Sequence, residues 1–198
     1  MDEVSISVTF TGIMAAATFF SIPVLLGSYR DSLFTVMFFL IVSMFGYIYS
    51  TAIYANASGH VSRLKRIKGE NILSKGNIVS EYFGVYYTAF AFPIAFLAFT
   101  GAELATATFI VDVLGIILYH LGGFSILERY TIKSGSHRHP KQTFHTLVVV
   151  LVLLMSFNFF STVLFGGNIA NPAILLSAAA ITLFTLLLAI FSFRRIEA

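Results

Sequence analysis

From Thr146 to Phe193 the chain carries no ionisable side chain. A water-soluble fold has to interrupt such a run with charges for its surface, so this stretch alone confines the chain to a lipid environment. The same pattern recurs upstream. No charge falls between Glu3 and Arg30 or between Asp31 and His60, and Tyr82–Ala102 is again uncharged. Leu104–Leu127 is interrupted only by Asp112 and His120. A helix that crosses the hydrocarbon core needs about 20 mainly apolar residues. Each of these stretches supplies one, and Thr146–Phe193 supplies two.

Composition agrees. Of 198 residues, 58% are hydrophobic and 11% charged. Soluble domains carry about 25% charged residues, and 12 Lys and Arg with 9 Asp and Glu cannot coat a surface of this size. Cysteine is absent, which excludes thiolate catalysis, iron–sulfur clusters and Cys-ligated zinc on this chain.

The pattern predicts an all-α, polytopic six-helix transmembrane bundle. Its single domain spans 1–198, with helices near 5–28, 33–55, 81–102, 104–126, 145–166 and 172–193. The break inside the last stretch is legible at Gly166-Gly167-Asn168 and Asn171-Pro172. Asn171 suits an N-cap, with Pro172 at the first helical position. Strands are disfavoured: barrel strands alternate apolar and polar residues, whereas LVVVLVLLMSF is apolar on every side.

Orientation is read from the cations. Arg63, Lys65, Arg66, Lys68 and Lys75 follow the second helix, and Arg129, Lys133, Arg138 and Lys141 follow the fourth. Arg194 and Arg195 lie in the tail, leaving Arg30 by itself on the other side. The positive-inside rule then places both termini and the two longer loops in the cytoplasm of a multi-pass protein of the cell membrane. The acidic start, Asp2 and Glu3, is unlike the basic n-region of a signal peptide. The expected partners are the bilayer itself and anionic headgroups at the basic loops, not nucleic acid. His60–Lys68 either prolongs the second helix or lies along the interface. Association with a second copy or with another membrane subunit stays open.

An ionisable group inside a bilayer marks function by default, because burying it is costly. Asp112 is the carboxylate well inside a predicted span, about 5 Å outward of the midplane. Asn158 falls at a similar depth, with Thr18, Ser21 and Ser177 in the same outer half. His120 lies about 7 Å inward of the midplane, and Tyr47 and Tyr87 reach comparable depths. An interfacial aromatic belt accounts for Tyr54, Tyr82 and Tyr130, but not for the deeper Tyr47 and Tyr87. The expected ligand or ion path is therefore Asp112, His120, Asn158, Tyr47 and Tyr87, with a polar vestibule towards the cytoplasm. The competing account of Asp112 and Asn158 is hydrogen bonding between helices.

His137, His139 and His145 precede the fifth helix, while Glu81 and Glu128 sit near the same membrane plane, Glu81 at the start of the third helix. Glu81, His139 and His145 thus form a candidate transition-metal set. Their spacing matches no known ligand motif, and no cofactor can be named from it. Haem is disfavoured because bis-His ligation needs two buried imidazoles.

Asn171-Pro172-Ala173 resembles one half of the aquaporin signature, which needs two copies meeting at the channel centre. With one copy, helix capping suffices. Met14-Ala15-Ala16-Ala17 followed by Ser21-Ile22-Pro23-Val24 resembles the first helix of vitamin-uptake S-components, where small residues meet a coupling subunit. Small residues in membrane helices also simply permit close packing. Pro93 in FAFPIAF should kink the third helix, and Gly122-Gly123 gives a flexible point in the fourth.

These residues favour a carrier or channel for a small solute or ion over an enzyme. The alternatives are a non-catalytic subunit of a respiratory or ABC-type complex, and a membrane enzyme with a His/Glu metal site.

Overall fold

The computed structural model describes residues 3–27, 33–61, 66–121, 140–167 and 170–197. These are 96% helical and contain no strand. Helix α1 is Glu3–Gly27 and α2 is Phe34–Val61. A continuous rod follows, made of α3 (Arg66–Val79), a π-helical segment (Ser80–Val85) and α4 (Tyr86–Phe99). Helix α5 is Ala102–Leu121, α6 is Pro140–Phe165 and α7 is Pro172–Glu197. Counting α3 to α4 as one rod, six helices are long and apolar enough to cross a membrane.

The turns follow from residue chemistry. Thr100 and Gly101 both donate their backbone N–H to Phe96 O. Gly101 then takes φ +111°, a conformation open to glycine at little cost, and α5 starts at the next residue. Gly166 and Gly167 close α6 with positive φ, and Gly167 N donates to Thr162 O. Asn171 Oδ1 accepts from Ala173 N at 2.9 Å, so the predicted cap and the start of α7 at Pro172 both hold.

The third span differs from its expected form. It begins at Arg66 rather than at Glu81, and its apolar window runs Ile72–Phe99. Glu81 therefore lies inside the span, about 13 Å from Ile72 along the axis. Reading a carboxylate as a helix boundary fails here because Glu81 is 5% exposed and hydrogen-bonded within the protein. Helix α2 likewise continues to Val61, past the expected end at 55. The predicted end of the fourth span at 126 lies outside the described residues.

Lipid-facing character is plain from the side chains. Leu164 is 77% and Phe20 68% exposed, which water would penalise and acyl chains would not. Hydrophobicity therefore cannot drive helix against helix in lipid, and small residues and hydrogen bonds take over.

The helices gather into two compact units. The first takes in α1, most of α2, α3, the π segment, the first turn of α4 and the last residues of α7. There, Gly46 of α2 meets the π-segment backbone so closely that a Cβ would lie 2.7 Å from Phe83 C. Gly84 accommodates the Tyr47 ring in the same way, and Gly76 the Tyr54 ring. Thr11 of α1 and Thr51 of α2 share a hydrogen bond at 2.7 Å. A double-mutant cycle with Thr11→Val and Thr51→Val in bicelles should give a coupling of about 0.5–1.5 kcal/mol. Zero coupling would show that this bond does not tie α1 down.

The second unit takes in the first turn of α2, the rest of α4, α5, α6 and most of α7. Its centre is aromatic. Phe109 of α5 stacks on Phe159 of α6 with centroids 4.3 Å apart and planes 2° from parallel. Phe90 of α4 packs against Phe109 at 6.0 Å.

Candidate functional site

Polar residues concentrate in each unit separately. In the first, α2 presents Ser43, Tyr47, Ser50 and Tyr54 at spacings of four, three and four, which puts them on one face. Ser43 Oγ donates to Gly84 O at 2.9 Å and shares a hydrogen bond with the Thr88 hydroxyl. The Tyr47 hydroxyl interacts with the Thr88 and Ser43 side chains. Tyr54 OH donates to Asn77 Oδ1. The hydroxyls of Tyr82 and Ser192 lie 3.4 Å apart and join the π segment to the end of α7.

Glu81 belongs to the same unit, in the π segment. Tyr86 OH donates to Glu81 Oε1 at 3.1 Å, and Tyr86 N–H donates to Glu81 O. Both bonds span five residues. On an α-helix such a pair lies about 140° apart, so the two side chains could not meet. The π segment, whose backbone bonds run from i to i+5, puts them on one face. Such segments are rare and recur at functional sites. Tyr82 stacks on Tyr86 at 5.9 Å, closing the cluster on that side.

Tyr47 and Tyr87 are both fully buried. Tyr47 fills the space that Gly84 leaves, and Tyr87 is flanked by Phe39 and Phe83. Tyr54 and Tyr82 are also buried, at 2% and 1% exposure. Their hydroxyls meet protein partners rather than headgroups, so the aromatic-belt assignment does not hold for them.

The second unit holds Asp112 and Asn158. Asn158 is 1% exposed. Its Nδ2 donates to Ser177 Oγ at 2.8 Å and to Ile174 O at 3.4 Å. That links α6 to α7, as the expectation of interhelical bonding anticipated. Its Oδ1 is buried and accepts no hydrogen bond from the protein. Asp112 is half-buried, and its Oδ2 is likewise buried without a donor. Thr35 Oγ1 is the third such atom among the described residues, and it belongs to the same unit. A buried polar atom with no partner costs about 1–3 kcal/mol. Three in one unit single it out.

No protein-family model, curated protein or solved structure matches the chain.

Of the remaining expected site residues, His120 lies in the last turn of α5 and His145 in α6, but their side chains fall outside the described residues, as does all of His139. Among the described residues no group of three or more His, Cys, Asp or Glu could hold a metal ion. The sequence assigned Tyr82 to an interfacial belt and gave no site role to Tyr86, Thr35, Ser43 or Thr88. The Ser43–Tyr54 stripe was readable from its helical spacing. The Glu81–Tyr86 pair was not, because a five-residue separation signals no shared face.

Proposed function

We propose that this protein carries a small solute or ion across the cell membrane, and that Asp112 binds or couples it. The observation that carries this reading is the pair of donorless acceptors, Asp112 Oδ2 and Asn158 Oδ1, buried in the second unit. Acceptors without donors favour a ligand that brings positive charge or hydrogen. His120 remains the candidate remainder of the path towards the cytoplasm, where the cation-rich loops and both termini are placed by the positive-inside rule, while Tyr47 and Tyr87, also expected on it, belong to the first unit. Glu81 joins the reading as a second intramembrane carboxylate, held by Tyr86. Anionic headgroups are the expected companions of the basic loops.

Flux into liposomes tests the assignment. Asp112→Asn should lower the flux of a responsive solute or ion at least about tenfold, equivalent to about 1.4 kcal/mol of lost differential binding. Unchanged flux of that species would remove Asp112 from the path.

One observation favours a second reading, a non-catalytic subunit of a larger complex. Helix α5 buries the smallest share of its span, and Thr108, Asp112, Gly115 and Tyr119 run along one shoulder of it. A partner helix covering that shoulder would co-purify in stoichiometric amount in mild detergent, whereas a carrier would purify by itself or as copies of one chain.

A further inference from the structure

The transport reading leaves the ion unnamed, and the second unit contains enough geometry to name its class. The stacked rings of Phe109 and Phe159 tie α5 to α6 at one level. Asp112 follows Phe109 by three residues, and Asn158 precedes Phe159 by one. Consecutive spans run in opposite directions, so both residues lie on the same side of the ring pair. At 1.5 Å per residue they sit about 4.5 and about 1.5 Å from it, within about 3 Å of one another in depth.

The Asn158 oxygen is oriented by the bonds of its own amide. The neighbours of Asn158 favour one orientation of its amide. Its NH2 faces Ile174 O, which already accepts from Ser177 Oγ at 3.0 Å, and faces Ser177 Oγ, whose own hydrogen is thereby used. Reversing the amide would set Oδ1 against Ile174 O and would make the Ser177 hydroxyl give up its bond to that carbonyl. Oδ1 is thereby left as a buried acceptor, and Oδ2 of the half-buried Asp112 is also buried without a donor. An ionised carboxylate and an amide oxygen cannot satisfy each other, whereas a cation held by both would satisfy both.

The chemistry of the pair selects the cation. One carboxylate oxygen and one amide oxygen form an all-oxygen set, which suits hard ions and not the transition metals that prefer imidazole or thiolate. A single carboxylate neutralises a single charge. A divalent ion would leave net charge inside the bilayer, which is strongly disfavoured. We propose that Asp112 and Asn158 bind a small monovalent metal cation of the sodium class within the second unit, a conclusion that rests on the transport reading only in calling this ion the transported or coupling species.

The test uses the purified full chain in nanodiscs at constant ionic strength, melted in choline, lithium, sodium or potassium chloride. One of the metal cations should raise Tm over choline by roughly 5–10 °C at a hundredfold excess over its Kd. Asp112→Asn should melt like the wild type in choline and lose the rise. Asn158→Asp, which supplies a second carboxylate, should transfer the rise to calcium or magnesium. Equal melting in all four salts overturns the proposal, as does a rise retained by Asp112→Asn. A rise produced in choline only by lowering pH names the proton instead and also overturns it. Failure of the transport reading looks different: the cation-dependent rise would persist in a protein that supports no flux.

Discussion

Gly46→Ala should destabilise the protein by about 1–3 kcal/mol, the range for forcing a methyl into a packed core, despite the preference of helices for alanine. The added Cβ would fall 2.7 Å from Phe83 C and 2.8 Å from Gly84 N. These are backbone atoms, so no side chain can swing aside. Either α2 and the π segment separate, and the Ser43–Gly84 and Ser43–Thr88 bonds stretch with them, or the backbone bends. The same substitution at Gly12 provides the control, since a Cβ there meets nothing within 4 Å. Gly12→Ala should be neutral or stabilising by up to about 1 kcal/mol, the intrinsic helical preference for alanine. Reversible unfolding by SDS in mixed micelles reads both. Equal effects at the two positions would mean that the close approach of α2 to the π segment does not contribute to stability.

Tyr86→Phe is the second large effect, and it separates a hydrogen-bond role from a packing role. The substitution keeps the ring that stacks on Tyr82 and removes the hydroxyl that donates to Glu81. A buried carboxyl oxygen then loses its Tyr86 donor, which costs about 1–3 kcal/mol. Glu81→Gln keeps an acceptor at that position, so it should cost less than Tyr86→Phe. Glu81→Leu in the Tyr86→Phe background should recover most of the loss, because replacing both partners by apolar groups leaves neither unsatisfied. A Tyr86→Phe variant as stable as the wild type would show that the Glu81–Tyr86 bond contributes nothing net.

The two glycine positions also show how far sequence reasoning reaches. Gly46 and Gly12 are equivalent in the sequence: each is a lone glycine in an apolar helix. What distinguishes them is the proximity of the π segment, which is a fact of packing. The same applies to Asn158. Its depth could be counted from the helix ends, and its bond to α7 was an open alternative. The direction of its amide depends on Ser177 and Ile174, nineteen and sixteen residues away in sequence. Asp112 was visible because an isolated carboxylate in an apolar run is conspicuous. That Asp112 Oδ2 and Asn158 Oδ1 are both left without donors could only come from three-dimensional structure.

Charge spacing determined the class, the number of spans and most of their limits, since the cost of burying a charge in lipid depends on residue type and on little else. The cap at Asn171-Pro172 and the breaks at Gly101 and Gly166-Gly167 are local backbone chemistry, and of these the Asn171-Pro172 cap and the Gly166-Gly167 break could be read along the chain. Tertiary structure decided the exceptions. It carried Glu81 into a span by giving it Tyr86 across a π turn, and it enclosed Tyr54 and Tyr82, which looked interfacial. It also left two acceptors in the second unit facing no donor. The physical reason is common to all three: a polar group's cost in a membrane is set by its partners, and helix packing alone determines who those partners are.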